Sequence, residues 1–250
     1  MPMPEASLAP TPAFSPALPT PELVIFDLDY TLLCPSDQFE APGYVGTGAL
    51  FGLRLVPRRW PLAERAAYAA AAERRERTGL IHDDGLLPVI AHAIIEGLGG
   101  GPPEAVENTA AAIIDAWSRA ENFALYDDVL PCLRTLRAAG VRMALLSNAL
   151  GHSLKEVVAH FALDEYICAA TSSADVGVVK PAAQMFETLL GRLDVTPASA
   201  VMVGDSVEDD VKGALACGLR AILLDRGGRF ARLSLPRIGS LAELPKALCI

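Results

Sequence analysis

Two aspartates, one residue apart, follow a short apolar segment near the start of the chain. They are Asp27 and Asp29, and the apolar segment before them is residues 23–26. A buried carboxylate is costly to desolvate, so two of them at the end of an apolar strand need a compensating partner. Alternate residues of an extended segment lie on the same side, so this spacing lets both carboxylates address one atom. On its own, this pair of aspartates is as typical of a turn as of a functional site.

Further polar residues lie where later apolar segments stop or helical patterns start. They are Ser147, Asn148, Lys180, Asp205, Asp209 and Asp210. Each has an ordinary explanation when taken alone, because polar residues end strands, a lysine before proline is commonly solvated, and aspartates cap helices or complement their dipoles. Their common position at strand ends favours a shared function.

We expect these residues to share one cleft with the two aspartates, because the carboxyl ends of parallel strands meet at one edge of a sheet. Carboxylates so close together repel one another unless a hard divalent cation lies among them, and Mg²⁺ suits oxygen ligands. Lys180 adds positive charge, and Thr31 and Ser147 add hydroxyl groups. The cleft therefore suits a dianionic phosphoryl group, whose charge it neutralises and whose oxygens it hydrogen-bonds.

The elements that must position these residues alternate between strand and helix. Apolar segments end in polar residues or glycine at 142–148, 167–173, 200–206 and 220–228. Helical spacing of apolar residues occupies 130–140, 153–163, 182–193 and 208–218. Continuous apolar strands favour a sheet that is covered on both faces. The pattern predicts an α/β fold with a doubly wound, Rossmann-like parallel sheet.

One long interval breaks this alternation. Residues 34–126 carry helical patterns at 61–79, 86–99 and 103–122 and little strand character. A connection this long is not a simple crossover. We therefore predict an all-helical inserted domain over 34–126, with hinges near 34–36 and 122–127, and an α/β core over 21–33 and 127–250. The glycine-rich stretch 41–48 favours a loop, although it could also line a substrate.

The insert is locally basic. Its arginines are Arg54, Arg58, Arg59, Arg74, Arg75 and Arg77. One or two could bind a substrate carboxylate or second phosphate, but a solvated helix face is the favoured explanation. The insert therefore names no substrate.

Composition and charge narrow the classes of partner and location. The 250-residue chain has a formal net charge of −9, which argues against nucleic acids and acidic membranes, because both need a cationic surface. Residues 1–20 are proline-rich, lack a secretory signal and are expected to form a flexible tail. Five cysteines without metal-ligand spacing predict reduced core thiols in a cytoplasmic protein. Monomer and homodimer both stay open.

Four motifs, taken together, resemble those of the haloacid dehalogenase superfamily, in particular its phosphatase-like members. The motifs are DLDYT at 27–31, SN at 147–148, KP at 180–181 and GDSVEDD at 204–210. The resemblance extends over nearly the whole chain from Leu23 onward. It implies a hydrolase fold in which the helical insert is a cap that closes over the phosphoryl site and contacts the leaving group. We call residues 34–126 the cap from here on.

The resemblance implies a role for each matching residue. Asp27 would be the nucleophile that forms an aspartyl-phosphate, and Asp29 would protonate the leaving alcohol and then activate water. The phosphate-binding residues would be Thr31, Ser147, Asn148 and Lys180. These roles are expectations at this point.

The same resemblance implies a magnesium site. Asp27, Asp205 and the main-chain carbonyl of Asp29 would be ligands. Asp210 would orient a metal-bound water, and how it shares this work with the neighbouring Asp209 stays open, because the family often has asparagine at position 209.

The expected function is Mg²⁺-dependent hydrolysis of a small phosphorylated metabolite, such as a glycolate-type, sugar or nucleoside monophosphate. A 2-haloacid dehalogenase on the same scaffold is an alternative, but that chemistry needs neither Mg²⁺ nor a second aspartate such as Asp29. A phosphomutase and a non-catalytic binding module are further alternatives.

Overall fold

The computed structural model describes residues 20–78, 85–148 and 151–250, except for the side chain of Arg75. The strands are β1 (Leu23–Phe26), β2 (Leu33–Pro35), β3 (Phe123–Leu125), β4 (Arg142–Ser147), β5 (Ala169–Ser172), β6 (Ala200–Gly204), β7 (Arg220–Leu224) and β8 (Arg237–Ile238). The helices are α1 (Ala41–Leu50), α2 (Trp60–Thr78), α3 (Leu86–Leu98), α4 (Pro103–Trp117), α5 (Val129–Ala138), α6 (Leu154–His160), α7 (Ser173–Val176), α8 (Ala183–Leu193), α9 (Gly213–Ala216) and α10 (Leu244–Ala247). The predicted tail, residues 1–20, lies outside the described residues apart from Thr20.

Six strands form one parallel sheet, which confirms the predicted fold class. Their order is β5-β4-β1-β6-β7-β8, and every neighbouring pair runs parallel. Strand β1 therefore lies between β4 and β6. This order brings the carboxyl ends of three strands that are distant in sequence to adjacent places on one sheet edge.

Strand β1 is apolar throughout because both faces of the sheet are covered. Val24 and Phe26 pack into one hydrophobic cluster together with Leu133 of α5. Leu23 and Ile25 point to the other face and pack with Phe186 of α8. The two faces have separate cores, as the non-alternating pattern predicts.

Four helices, α1 to α4, lie between β2 and β3 and form the cap. Strands β2 and β3 pair in antiparallel register, with Cys34 opposite Ala124. This two-stranded ribbon lies at the two segments that the sequence predicts as hinges. The division into core and cap at 33/34 and 126/127 stays a prediction.

The prediction that residues 41–48 form a loop is wrong, because they lie in α1. Gly43 and Gly48 serve close packing rather than backbone freedom, whereas Gly46 has open space beside it. A Cβ at Gly43 would lie 2.0 Å from the backbone oxygen of Gln38, and one at Gly48 would lie 2.8 Å from Leu55 Cδ1. Glycine composition is therefore misleading here, since the close neighbours that require glycine lie outside the stretch itself.

Two smaller expectations also need correction. The predicted helix over 208–218 is divided into a π-helical turn, Val207–Lys212, and α9. The cysteines are free thiols, but only Cys132 is fully buried, and Cys168 and Cys249 are exposed rather than in the core. Within the described ranges, no helix is both long and apolar enough to cross a membrane.

Candidate active site

Residues from three adjacent strands meet at the carboxyl edge of the sheet. Asp27 directly follows β1, Ser147 ends β4 and Asp205 directly follows β6. Lys180 enters from the loop between α7 and α8. The sheet order thus assembles the predicted residues into one cleft, although they are far apart in sequence.

Lys180 lies at the centre of this cleft and is almost completely buried. Its Nζ donates to Oδ1 of Asp27 and to Oδ1 of Asp210, both at 2.7 Å. Burial alone would lower the pKa of Lys180, but the carboxylates of Asp210 and Asp27 outweigh it and raise that pKa above its ordinary value. The lysine is therefore a permanent buried cation that fixes two acidic side chains.

Asn148 holds the backbone of Lys180 in place. Its Oδ1 accepts a hydrogen bond from the Lys180 N–H at 2.7 Å, and its Nδ2 donates to the Lys180 carbonyl at 3.2 Å. Both ends of the amide are thereby engaged. The side chain of Asn148 thus fixes the backbone of Lys180, and the assignment of Asn148 to phosphate binding stays a prediction.

Three carboxylates form an acidic cluster, which consists of Asp27, Asp205 and Asp210. One ligand oxygen from each lies within 4.8 Å of the others. Burial and the nearby Asp27 and Asp210 raise the pKa of Asp205 to about 8. Burial likewise raises the pKa of Asp210 to about 6, in spite of Lys180. Arg229 adds an exposed positive charge, with its Nη2 3.8 Å from Oδ2 of Asp205. Lys180 and Arg229 together carry less charge than three ionised carboxylates, and the oxygen-only donor set fits a hard cation such as Mg²⁺.

The glycine of the fourth motif is explained by the position of Asp210. A Cβ at Gly204 would lie 2.1 Å from Oδ2 of Asp210. That oxygen accepts a hydrogen bond from the Ser206 N–H at 3.0 Å. Ser206 also caps the turn, since its Oγ accepts from the Asp209 N–H. Among the described residues, the cluster thus includes Asp210 and leaves out Asp209.

Asp29 lies beside a buried histidine that the sequence reasoning missed. Nε2 of His152 lies 3.3 Å from Oδ1 of Asp29, slightly longer than an ordinary hydrogen bond. The histidine ring also packs against Phe123, with ring centroids 5.2 Å apart. Burial raises the pKa of Asp29 above its ordinary value, and His152 opposes part of that rise. A histidine five residues after a strand-end serine was the available signal.

The two predicted hydroxyl groups are buried. Thr31 is fully buried, and its Oγ1 has no hydrogen-bond partner among the described residues. Ser147 is also buried at the end of β4. An unpaired buried hydroxyl is costly, and both residues lie at the cleft. Their assignment to phosphoryl oxygens stays a prediction.

Arg226, which the sequence analysis did not single out, connects the loop after β1 to the predicted hinge of the cap. Its guanidinium donates to both carboxylate oxygens of Asp128, at 2.8 and 2.9 Å, and to the Thr31 carbonyl at 2.9 Å. It also stacks over the Tyr126 ring at 3.9 Å. The sequence offered only an arginine after an apolar strand, a pattern with many explanations.

Comparison with protein families gives one family match. Residues 21–218 match the haloacid dehalogenase-like hydrolase family, which confirms the resemblance drawn from the four motifs. A computed fold comparison agrees. The HAD-hydrolase YfnB of Bacillus subtilis, bound to magnesium, superimposes with a TM-score of 0.71 over 93% of this chain and 100% of that one, at 17% identity. At this identity the likeness shows the fold alone.

Two curated relatives carry phosphatase names. The phosphoserine phosphatase of Thermus thermophilus is 33% identical over 52% of this chain and 51% of its own. The glyceraldehyde 3-phosphate phosphatase of Methanopyrus kandleri is 26% identical over 82% of this chain and 84% of its own. This chain therefore spans about half the length of the first relative and most of the second.

Proposed function

This chain belongs to the haloacid dehalogenase-like hydrolase family, and we propose that it is a Mg²⁺-dependent phosphatase that hydrolyses a small phosphorylated metabolite through an aspartyl-phosphate. One observation carries the proposal: the carboxylates of Asp27, Asp205 and Asp210 cluster in the cleft, and the buried cation Lys180 pairs with Asp27 and Asp210. The phosphatase names of the relatives support the same reaction. We further propose a cytoplasmic enzyme, monomeric or homodimeric, without a nucleic-acid or membrane partner.

Asp27 is the nucleophile in this proposal. Its carboxylate attacks phosphorus while the bond from phosphorus to the leaving oxygen breaks, which leaves a phosphoryl group on Asp27. Lys180, at 2.7 Å, orients this carboxylate. Lys180 also offsets the negative charge of the phosphoryl group, whose oxygens are proposed to bind the hydroxyl groups of Thr31 and Ser147.

Asp29 moves the protons. Its raised pKa favours the protonated acid, which donates its proton to the leaving oxygen as the alcohol departs. The resulting carboxylate then takes a proton from water, whose oxygen attacks phosphorus. Phosphate leaves, and the Asp27 carboxylate is regenerated. We propose that His152, whose Nε2 lies 3.3 Å from Oδ1 of Asp29, orients this side chain toward the cleft.

The chain's own residues fit a magnesium ion. Asp27, Asp205 and the Asp29 carbonyl would hold it, with Asp210 and Asp209 around them, and bound Mg²⁺ would supply positive charge for the phosphoryl oxygens. The geometry favours Asp210 over Asp209 as the nearer of the two neighbours, since Asp210 belongs to the acidic cluster and contacts Lys180.

The test is hydrolysis of 4-nitrophenyl phosphate with three variables: Mg²⁺, EDTA and Asp27→Asn. We expect turnover with Mg²⁺, none with EDTA, and a loss on the order of 10⁴-fold or more in Asp27→Asn. Asp164→Asn, an exposed aspartate outside the cleft, is the matched control and should keep full activity. Turnover that survives EDTA or Asp27→Asn would overturn the proposal, and metal-independent halide release from a 2-haloacid would replace it with dehalogenation.

A further inference from the structure

A cavity of about 370 Å³ lies inside the cap and reaches the catalytic loop. Its walls come from all four cap helices. Aromatic rings contribute much of the lining, and they belong to Tyr30, Phe39, Tyr44, Trp60, Tyr68 and Trp117. Aliphatic side chains of α3 and α4 complete it. The volume is at the lower end of the range for small-molecule sites.

The cavity begins at the phosphoryl site. Tyr30 lies between Asp29 and Thr31, and its backbone has φ 62°, which is uncommon for a residue other than glycine. This conformation is held by a hydrogen bond from the Tyr30 N–H to the Leu33 carbonyl at 2.9 Å. The Tyr30 ring is part of the cavity wall. A group attached to phosphorus would therefore leave the cleft beside this ring.

A second contact links the cavity to the proposed acid. Trp117 lines the cavity, and its ring centroid lies 6.4 Å from that of His152. His152 in turn contacts Asp29. The cavity wall and the side chain that protonates the leaving oxygen are thus neighbours in one packed group.

Among the described residues, the charged side chains that line the cavity are all acidic. Its charged lining residues are Glu40 and Glu64, and among the described residues that line it none is lysine, arginine or histidine. The cap arginines with described side chains do not line it. The alternative in which these arginines bind a substrate anion therefore finds no support here.

We propose, on the premise of the phosphatase function above, that this cavity binds the leaving group and selects aromatic or bulky apolar phosphomonoesters that carry no second anionic group. Apolar surface gains free energy when it is buried in such a site. A carboxylate or second phosphate would lose water and face two glutamates without a cation. A positively charged substituent would be tolerated near Glu40 and Glu64.

The first experiment compares two substrates that differ by one carboxylate. The chain is assayed with Mg²⁺ on 2-naphthyl phosphate and on 6-carboxy-2-naphthyl phosphate. We expect kcat/KM to be at least about tenfold higher for the uncharged substrate, because like charges at short range in a partly desolvated site oppose binding. Equal values, or a preference for the carboxylated substrate, would overturn the selectivity.

Variants then test which residues cause the preference for the uncharged substrate. Glu40→Gln combined with Glu64→Gln should bring the ratio of the two kcat/KM values close to one. Glu73→Gln removes the same charge from α2 nine residues beyond Glu64, on the opposite face of the helix, and should leave the ratio unchanged. If Glu73→Gln changed the ratio of the two kcat/KM values as much as the double variant does, the preference would come from the overall charge of the cap. That result would overturn the assignment to Glu40 and Glu64.

A space-filling variant tests the volume. Ala67, a buried wall residue of α2, is changed to Leu. KM for 2-naphthyl phosphate should rise several-fold more than KM for acetyl phosphate, which has no bulky leaving group. Equal effects on both substrates would contradict a leaving-group cavity.

A binding measurement separates failure of this inference from failure of the phosphatase function. The full chain in EDTA is titrated with 2-naphthol and with 6-hydroxy-2-naphthoate in a calorimeter. Binding of 2-naphthol alone supports the cavity even if no phosphate ester is hydrolysed, in which case the phosphatase proposal fails and the selectivity stands. Binding of the carboxylate as tightly as the naphthol, or of neither, would overturn the cavity while leaving phosphoryl transfer untouched.

Discussion

The cleft and the cap cavity are adjacent, but paired charged side chains form the cleft and mainly apolar side chains form the cavity. In the cleft, charged side chains are buried and fixed by partners at 2.7 Å, as Lys180 fixes Asp27 and Asp210. In the cavity, aromatic and aliphatic side chains leave an open volume, and the two charged groups, Glu40 and Glu64, are exposed. The cleft is suited to one chemical group, the phosphoryl group, whereas the cavity is suited to a range of apolar leaving groups.

This contrast explains why the proposed chemistry and the proposed specificity come from different elements. Strand ends of a parallel sheet converge and hold side chains rigidly, so they suit reacting groups that need accurate placement. The cavity walls come mainly from cap helices, which lie outside the six-stranded sheet. We expect changes in the cleft to abolish function and changes in the cavity to redirect it.

The largest expected effect on stability follows from removing the buried cation. Lys180→Met leaves Asp27 and Asp210 without their partner, so we expect a loss of about 3 kcal/mol in the free energy of unfolding. Activity should fall on the order of 10³-fold, because positive charge at the phosphoryl site is lost. Urea unfolding and steady-state rates measure the two effects, and Mg²⁺ should restore part of the stability.

The matched control is Lys212→Met. Lys212 also pairs with a carboxylate, Glu208, at 2.6 Å, but both side chains are 62% exposed, so the change should cost less than about 1 kcal/mol. If Lys180→Met behaved like this control, the buried network would have no special importance for the cleft.

The next effect concerns the junction between the two regions, where Arg226 meets Asp128. The Asp128 carboxylate also accepts hydrogen bonds from the Ser240 hydroxyl at 2.6 Å and from the Leu241 N–H at 2.9 Å. Burial alone would raise its pKa, but Arg226, Ser240 and Leu241 together lower it below the ordinary 3.8. Asp128→Asn should therefore cost about 2 kcal/mol of unfolding free energy at neutral pH.

This stability difference should depend on pH in one direction. A carboxylate with a lowered pKa in the folded state stabilises fully above the unfolded value of 3.8 and loses this contribution as pH falls through the folded value. The gap between the wild type and Asp128→Asn should be constant above about pH 5 and shrink below 3.8. Glu22→Gln, which removes a surface partner of Arg142, should show a small gap. A gap for Asp128→Asn that grows in acid would contradict the assignment.

A smaller effect tests whether His152 positions Asp29 for proton transfer or only packs against its neighbours. His152→Ala should lower kcat for an alkyl phosphate about tenfold, because Asp29 is less well oriented to protonate a poor leaving group. The loss should be much smaller for 4-nitrophenyl phosphate, whose leaving group needs little protonation. His152→Gln, which keeps a donor at similar reach, should recover part of the alkyl rate. Equal losses on both substrates would indicate a structural role only.

The sequence predicts the cleft better than the cavity, for a local reason. Apolar strands followed by polar residues are short-range patterns, and they predict the positions of Asp27, Ser147 and Asp205. The glycines of α1 were misread because the need for glycine arises from contacts with Gln38 and Leu55 outside the stretch. Glycine composition alone could not reveal that close approach.

Contacts distant in sequence account for the other omissions. Arg226 donates to Thr31, 195 residues away, and His152 meets Asp29 only in the folded chain, because the two residues are distant in sequence. The cavity depends on which faces of four helices meet, and several apolar faces in the cap were equally available from sequence. The structure was therefore needed to show its aromatic lining, and to show that the described residues of the lining include no lysine, arginine or histidine.

The most direct measurement traps the proposed intermediate on Asp27. In Asp29→Asn the proposed base for the second step is missing, while 4-nitrophenolate can still leave without protonation. Rapid mixing with 4-nitrophenyl phosphate and Mg²⁺ should release a burst of about one nitrophenolate per chain, and acid quenching should give a peptide that carries a phosphoryl group on Asp27. Steady release of phosphate with Asp27 unlabelled at every time, or label on another residue, would contradict an aspartyl-phosphate mechanism.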